Sequence, residues 1–98
     1  MNMEKELAGG VLTVRMEGKL DQNTAPQAEK ELKAEVKSAK KLVLDLKRLE
    51  YLSSAGLRLI LKLDKAMKKK DGLAVRNVNS GVMEVLAFTG FTDILRIE

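Results

Sequence analysis

Cysteine and histidine are both absent from this chain of 98 residues, and together the two absences remove much of the chemistry a small domain could carry. Without cysteine there is neither a disulfide framework nor a thiolate metal site. Without histidine no Ser–His pair and no imidazole-ligated metal can be built. Aromatic side chains are nearly missing: Tyr51, Phe88 and Phe91 are the whole set. Aliphatic packing must therefore carry the core, and little is available to stack on nucleic-acid bases. There is no Gly-x-x-x-x-Gly-Lys phosphate loop. No apolar run approaches the roughly eighteen residues of a membrane span. No signal peptide precedes the first strand-like run, so the expected location is the cytoplasm. Asp21 and Asp45 are the carboxylates that could be offered for acid–base work, yet each has a simpler place. Asp21 suits a loop turn, where a carboxylate bonds to the backbone two residues on. Asp45 falls near a strand end, where its charge can stay wet. Catalytic residues, metal ligands and cofactors are accordingly not expected.

The remainder reads as an ordinary globular domain. The chain is 45% hydrophobic and 33% charged, a balance that argues against disorder, and its length suits a single domain over residues 1–98. The net charge of +4 could hint at nucleic acid or an anionic membrane surface. Part of that excess is the local run Lys68-Lys69-Lys70 at a helix C-terminus, where the dipole favours cations. Direct nucleic-acid binding is not expected.

Along the chain, Met3 to Leu7 suggests a short edge strand, and Gly9-Gly10 a hairpin turn in which both residues can take positive φ. Val11 to Glu17 alternates, with Leu12, Val14 and Met16 on one face, which predicts a half-buried strand ended by Gly18. Thr24 with Gln27 fits a capping box, with Pro26 in the first turn of a helix running to about Ser38. Ala25, Ala28, Leu32, Val36 and Ala39 form its apolar stripe. Leu42 to Leu46 reads as an inner strand covered on both faces. A second helix is predicted from about Ala55 to Lys70. Leu57, Ile60, Leu61, Leu63 and Met67 lie on its buried side, and Arg58, Lys62, Lys65 and Lys69 on one exposed stripe. Gly72 is a C′ residue, and Leu73 to Val78 is a further strand. Asn79 or Ser80 caps a third helix from Val82 to about Phe88, which Gly90 ends. A short turn and terminal strand close the chain. Strand–helix alternation in the second half implies right-handed crossovers and locally parallel strands, hence a mixed α/β sheet.

The stretch from Tyr51 to Arg58, Tyr-Leu-Ser-Ser-Ala-Gly-Leu-Arg, joins the inner strand to the second helix. Two readings of its hydroxyls stand side by side. Ser53 or Ser54 caps the helix, since a side-chain oxygen there accepts a bond from an orphaned N–H. Alternatively one of them is a modification site, because the positive end of a helix tolerates a phosphate.

Leu42-Val43-Leu44-Asp45-Leu46 followed by Leu49-Glu50-Tyr51-Leu52-Ser53-Ser54-Ala55-Gly56-Leu57, with Gly18-Lys19-Leu20-Asp21 upstream, resembles the signature of the STAS domain of bacterial anti-sigma factor antagonists. The resemblance covers essentially the whole chain. It implies a STAS-like mixed sheet of four to five strands with three to four helices packed on it. It further implies that Ser54 is the phosphoacceptor, and Ser53 stands where many members carry aspartate. The loop holding Asp21 and Asn23 would lie beside it and contribute to a kinase-facing surface. Gly56 would let a partner approach the start of the helix, and Arg58 would be the nearest fixed positive charge or simply a solvated one. The implied partners are an anti-sigma factor serine kinase and a resetting phosphatase, the domain itself being a monomer or weak dimer. The alternative is a non-switching STAS scaffold subunit of a lipid-transport or stress-signalling complex, in which Ser54 is only a cap.

Overall fold

The computed structural model describes every residue, Met1–Glu98. The chain runs β1 (Asn2–Ala8), β2 (Val11–Leu20), α1 (Ala25–Ser38), β3 (Lys41–Leu52), α2 (Ser54–Met67), β4 (Leu73–Arg76) and α3 (Ser80–Phe88). A single 3-10 turn (Phe91–Asp93) and β5 (Arg96–Ile97) close it. The five strands lie side by side in sequence order. β1 is antiparallel to β2 across a two-residue turn, and every later pairing is parallel. Gly9 and Gly10 both hold positive φ, 59° and 81°, as that hairpin requires. No helix is long and apolar enough to cross a membrane.

Sequential order of parallel strands has a direct consequence. Crossovers of this kind are right-handed, so each of the three steps from β2 to β5 deposits its helix on the same face. Leu12, Val14 and Met16 of β2, Leu42, Leu44 and Leu46 of β3, and Leu73 and Val75 of β4 meet the three helices in one aliphatic cluster of 24 buried residues. The opposite face carries no helix. β3 is therefore not sandwiched, as its apolar run suggested. Its other-face residues Val43 and Asp45 are buried, yet Val43 lies outside the cluster.

Asp45 departs from the wet strand end expected of it. It sits mid-strand and 9% exposed, because β3 runs seven residues beyond it to Leu52. Its Oδ2 accepts from Asn77 Nδ2 at 2.9 Å and its Oδ1 from Lys47 N at 3.1 Å, so the buried carboxylate is satisfied. Gly18 likewise does not end β2. It takes φ 105° at a register irregularity, and pairing with β3 resumes through Leu20 and Leu52. β4 stops at Arg76, short of Val78, because Asn77 turns into the left-handed region at φ 55°, which asparagine tolerates better than most residues.

The helix ends also differ from the sequence reading. Thr24 and Gln27 form no capping box. The Thr24 hydroxyl donates to Lys19 O at 2.8 Å and accepts from Asp21 N at 2.9 Å, while Gln27 bonds Glu31. α2 ends at Met67 rather than Lys70. Lys70 instead swings across, placing Nζ within 2.6–3.0 Å of the carbonyls of Val36, Lys37 and Ala39. A cation thus meets the negative end of α1, from a neighbouring element. Lys5 of β1 reaches Glu35 of α1 at 2.7 Å, and that bond holds its ammonium pKa above the usual lysine value.

Two polar residues set local stability. Asn79 is the α3 cap, its Oδ1 accepting from Val82 N at 3.0 Å. β3 overhangs the four-residue β4, and the Asn79 amide lies within 2.8–3.2 Å of the carbonyls of Leu46, Lys47 and Leu49 along that edge. Asn79→Ala should cost about 2–3 kcal/mol in urea unfolding, a lost cap plus unpaired carbonyls. Asn79→Asp, which keeps the capping oxygen and loses the donors, should be no better. Asp64 is the opposite case. It takes a buried position on α2 that the sequence pattern did not assign, while Leu61 turns partly outward. Its Oδ2 has no hydrogen-bond partner, and Lys68 Nζ is 3.8 Å away. Replacing a poorly satisfied buried carboxylate by an apolar side chain is often stabilising. Asp64→Leu should raise stability by about 1 kcal/mol, read as a higher denaturation midpoint.

Candidate functional site

The last pair in the β2–β3 register is Leu20 with Leu52. Both strands are parallel, so both chains leave the sheet at the same end. β2 opens into the Asp21 loop, and β3 passes through one residue, Ser53, into α2. The carboxyl ends of adjacent parallel strands are where open α/β sheets hold their sites.

The two exits are tied together. Ser53 N donates to Leu20 O at 3.0 Å. Ser53 is extended (φ −92°, ψ 176°), and its hydroxyl oxygen accepts from Gly56 N at 3.3 Å. The capping role thus falls to Ser53. Ser54 is the first helical residue and exposed, so its hydroxyl stands at the positive end of α2 while a neighbour does the capping.

Gly56 is buried, and the reason for its size is internal. A Cβ there would lie 2.7 Å from Leu20 O, 2.7 Å from Leu52 Cδ1 and 3.0 Å from Leu20 Cγ. Its smallness has a cause within the chain, whatever it does for a partner: Leu20 and Leu52 already fill the space. Only a glycine allows α2 to start this close to the end of β2.

The loop beside Ser54 is braced by its own hydrogen bonds. Asp21 Oδ1 accepts from Asn23 N at 2.9 Å and Thr24 N at 3.2 Å, and Asp21 O accepts from Thr24 N and Ala25 N. Asp21 is half-buried by these bonds, and Asn23 is exposed at the tip. Arg58 is exposed, four residues after Ser54 and so on the same helical face. It lines a shallow groove between α1 and α2 with Gln22, Ala25, Pro26 and Ala55. The structure thus gathers Asp21, Asn23, Ser53, Ser54 and Arg58 at one end of the sheet, with Gly56 beneath them. Sequence reasoning passed over Gln22 and Ala55 as groove residues and Leu20 as the neighbour of Gly56. The small residues opening both helices, Ala25 and Ala55, were the available signal.

A family model described as the STAS domain matches residues 2–98. BtrV of Bordetella bronchiseptica, a protein assigned to the anti-sigma factor antagonists, is 35% identical, the match covering 99% of this chain and 85% of that protein. The chain is a STAS domain of the anti-sigma factor antagonist family. The anti-sigma F factor antagonist of Paenibacillus polymyxa is 33% identical, with 99% of this chain and 86% of that one covered. The solved structure of the anti-sigma factor antagonist SpoIIAA in its unphosphorylated form has the same fold. It superposes with a TM-score of 0.83 at 18% identity, over 99% of this chain and 88% of that one.

In this STAS domain Gly56 leaves no room for a larger residue, because the atoms it faces include a backbone carbonyl that cannot rotate away. Gly56→Ala should destabilise by about 1–3 kcal/mol through overpacking. Thermal unfolding checks the loss, and amide exchange should show it centred on Leu20 to Asn23 and Ser53 to Leu57.

Proposed function

We propose that this STAS domain is a cytoplasmic anti-sigma factor antagonist that works by partner switching. Unmodified, it docks the start of α2 and the Asp21–Asn23 loop onto an anti-sigma factor that is also a serine kinase, and so releases the sigma factor. The observation that carries this reading is the exposed Ser54 hydroxyl at the helix start, relieved of capping by Ser53. The family membership supports it, and SpoIIAA, the Bacillus protein of the same fold, also has a solved phosphorylated form.

The switching step is an ordinary phosphoryl transfer. The Ser54 oxygen attacks the γ-phosphorus of ATP held by the kinase, ADP leaves, and the serine proton passes to a base on the kinase. A phosphate adds about −1.5 to −2 charge at neutral pH. At the positive end of α2 it finds free N–H groups, and Arg58 one turn on, so the fold accommodates it. The partner interface does not, since a charge pressed between two surfaces loses its water and meets fixed groups placed for a neutral hydroxyl. Differential affinity is the whole switch. Hydrolysis of the phosphoserine by a separate phosphatase restores the binding form.

The test is a binding assay with the serine-kinase anti-sigma factor from the same genome. Ser54→Ala should bind as the unmodified chain does, and Ser54→Asp should lose about 100-fold or more in affinity, the usual scale for a charge buried without a partner. Equal binding by both variants would sink the switch. Failure of Ser54 to take up phosphate from that kinase would favour the non-switching scaffold subunit instead.

A further inference from the structure

We infer that the exposed face of α2 is a cationic rail that steers an acidic surface of the protein partner onto the Ser54 end of the domain. This rests on the partner-switch reading above and names the chemistry of that partner's face. Between Ser54 and Lys70 the chain carries Arg58, Lys62, Lys65, Lys68, Lys69 and Lys70 against one acid, Asp64. That segment alone exceeds the net charge of +4 of the entire chain. Asp64 points inward and is 5% exposed, so every fully exposed charged side chain of the segment is a cation.

Local structure accounts for the rail only in part. The negative end of α2 favours Lys65 in its last turn, Lys68 at its C-cap and the lysines just beyond, but it gives none of them a countercharge. Lys70 serves the carbonyls at the end of α1. Lys62 pairs with Glu29 at 2.8 Å and Lys68 lies 3.8 Å from Asp64. Arg58, Lys65 and Lys69 form no ion pair within the chain, and all three are exposed. Of the acids of neighbouring α1, Glu29 pairs with Lys62 and Glu35 with Lys5, while Glu31 bonds the neutral amide of Gln27 and keeps its charge. The other residues α1 offers nearby, Lys30, Lys33 and Lys37, are exposed cations too.

Geometry separates the rail from the phosphorylation chemistry. At about 1.5 Å per residue, Arg58 stands roughly 6 Å along the axis from Ser54 and Lys65 roughly 16 Å, and Lys69 follows in the turn past the helix end at Met67. The Debye length is about 8 Å at physiological ionic strength, so Lys65 and Lys69 do not act on a phosphate at Ser54. They face whatever lies alongside α2 once a partner has docked at its start. The groove beside Arg58, Lys62 and Lys65 is floored by Ala25, Ala55, Leu59 and Leu61, an apolar strip rimmed by charge, as protein interfaces are built. No aromatic residue lies along it for a base to stack on, which favours a protein over a nucleic acid. An uncompensated stripe of this kind acts mainly on the association rate.

Stopped-flow association with the serine-kinase anti-sigma factor from the same genome, at ionic strengths from about 25 to 300 mM, tests the inference. A Lys65→Glu, Lys69→Glu double variant should associate about tenfold more slowly at low salt and show a flattened salt dependence. Its dissociation rate should stay within about twofold, since affected charges at a rim change encounter more than residence. A Lys30→Glu, Lys33→Glu variant of equal net charge should be affected much less. The inference is overturned if the first variant, folded by circular dichroism, associates like the parent, or if both variants slow equally. It is also overturned if the rail substitutions abolish binding to duplex DNA or anionic vesicles while leaving kinase association untouched. Normal Ser54-dependent binding with no effect of the rail refutes only this inference. No binding by the parent chain refutes the partner switch as well.

Discussion

The absence of one side chain, at Gly56, holds the site together. It lets the first turn of α2 settle against the carbonyl of Leu20, the same oxygen that accepts from Ser53 N. Two chain exits that could have splayed are thereby locked: the loop after β2 and the helix after β3. Packed interiors do not deform continuously, so this contact fixes where the Asp21 loop sits relative to Ser54. A recognition surface built from two segments needs that fixity more than it needs any particular polar contact.

The lock suits a site whose proposed work is a change of charge. Ser53 performs the structural task of capping α2, which leaves Ser54 free of any. A helix whose cap was also its phosphoacceptor would lose a stabilising bond each time it was modified. Here the capping hydroxyl and the proposed phosphoacceptor are neighbours with separate duties. Stability is drawn from elsewhere, from the 24-residue aliphatic cluster under the helices. The ion pairs of the sheet face and edges, such as Arg15 with Glu6 and Arg48 with Glu17, are exposed and contribute at most about 1 kcal/mol each.

One-sidedness of the sheet governs the remaining surface. With all three helices on one face, the other is left to strand side chains alone, and polar residues take it. Asp45 can be buried there because Asn77 and the backbone of Lys47 satisfy it. The helix layer is the outer wall on the other side, and α2 is its most basic part. The recognition surfaces proposed above thus lie at one end of the sheet and along one helix.

Much of this was legible in the residues. The alternation of Leu12, Val14 and Met16, the stripe from Ala25 to Val36, the Gly9-Gly10 hairpin and the Ser-Ser junction each state a local preference that the fold keeps. They determined the order of elements, the mixed sheet and the position of the candidate site in the chain. Pattern could not show that β3 is covered on one face only, since a continuous apolar run looks the same either way. Nor could it show that Gly18 continues a strand, that Lys70 closes a different helix from its own, or that Gly56 makes room for Leu20. Each of those depends on which atoms from distant parts of the chain share a few ångströms of space. Sequence alone set the local preferences and the hydroxyls on offer. Tertiary packing alone decided which hydroxyl caps and which is free, because only the meeting of β2 with the start of α2 places Ser53 against Leu20 and leaves Ser54 in water.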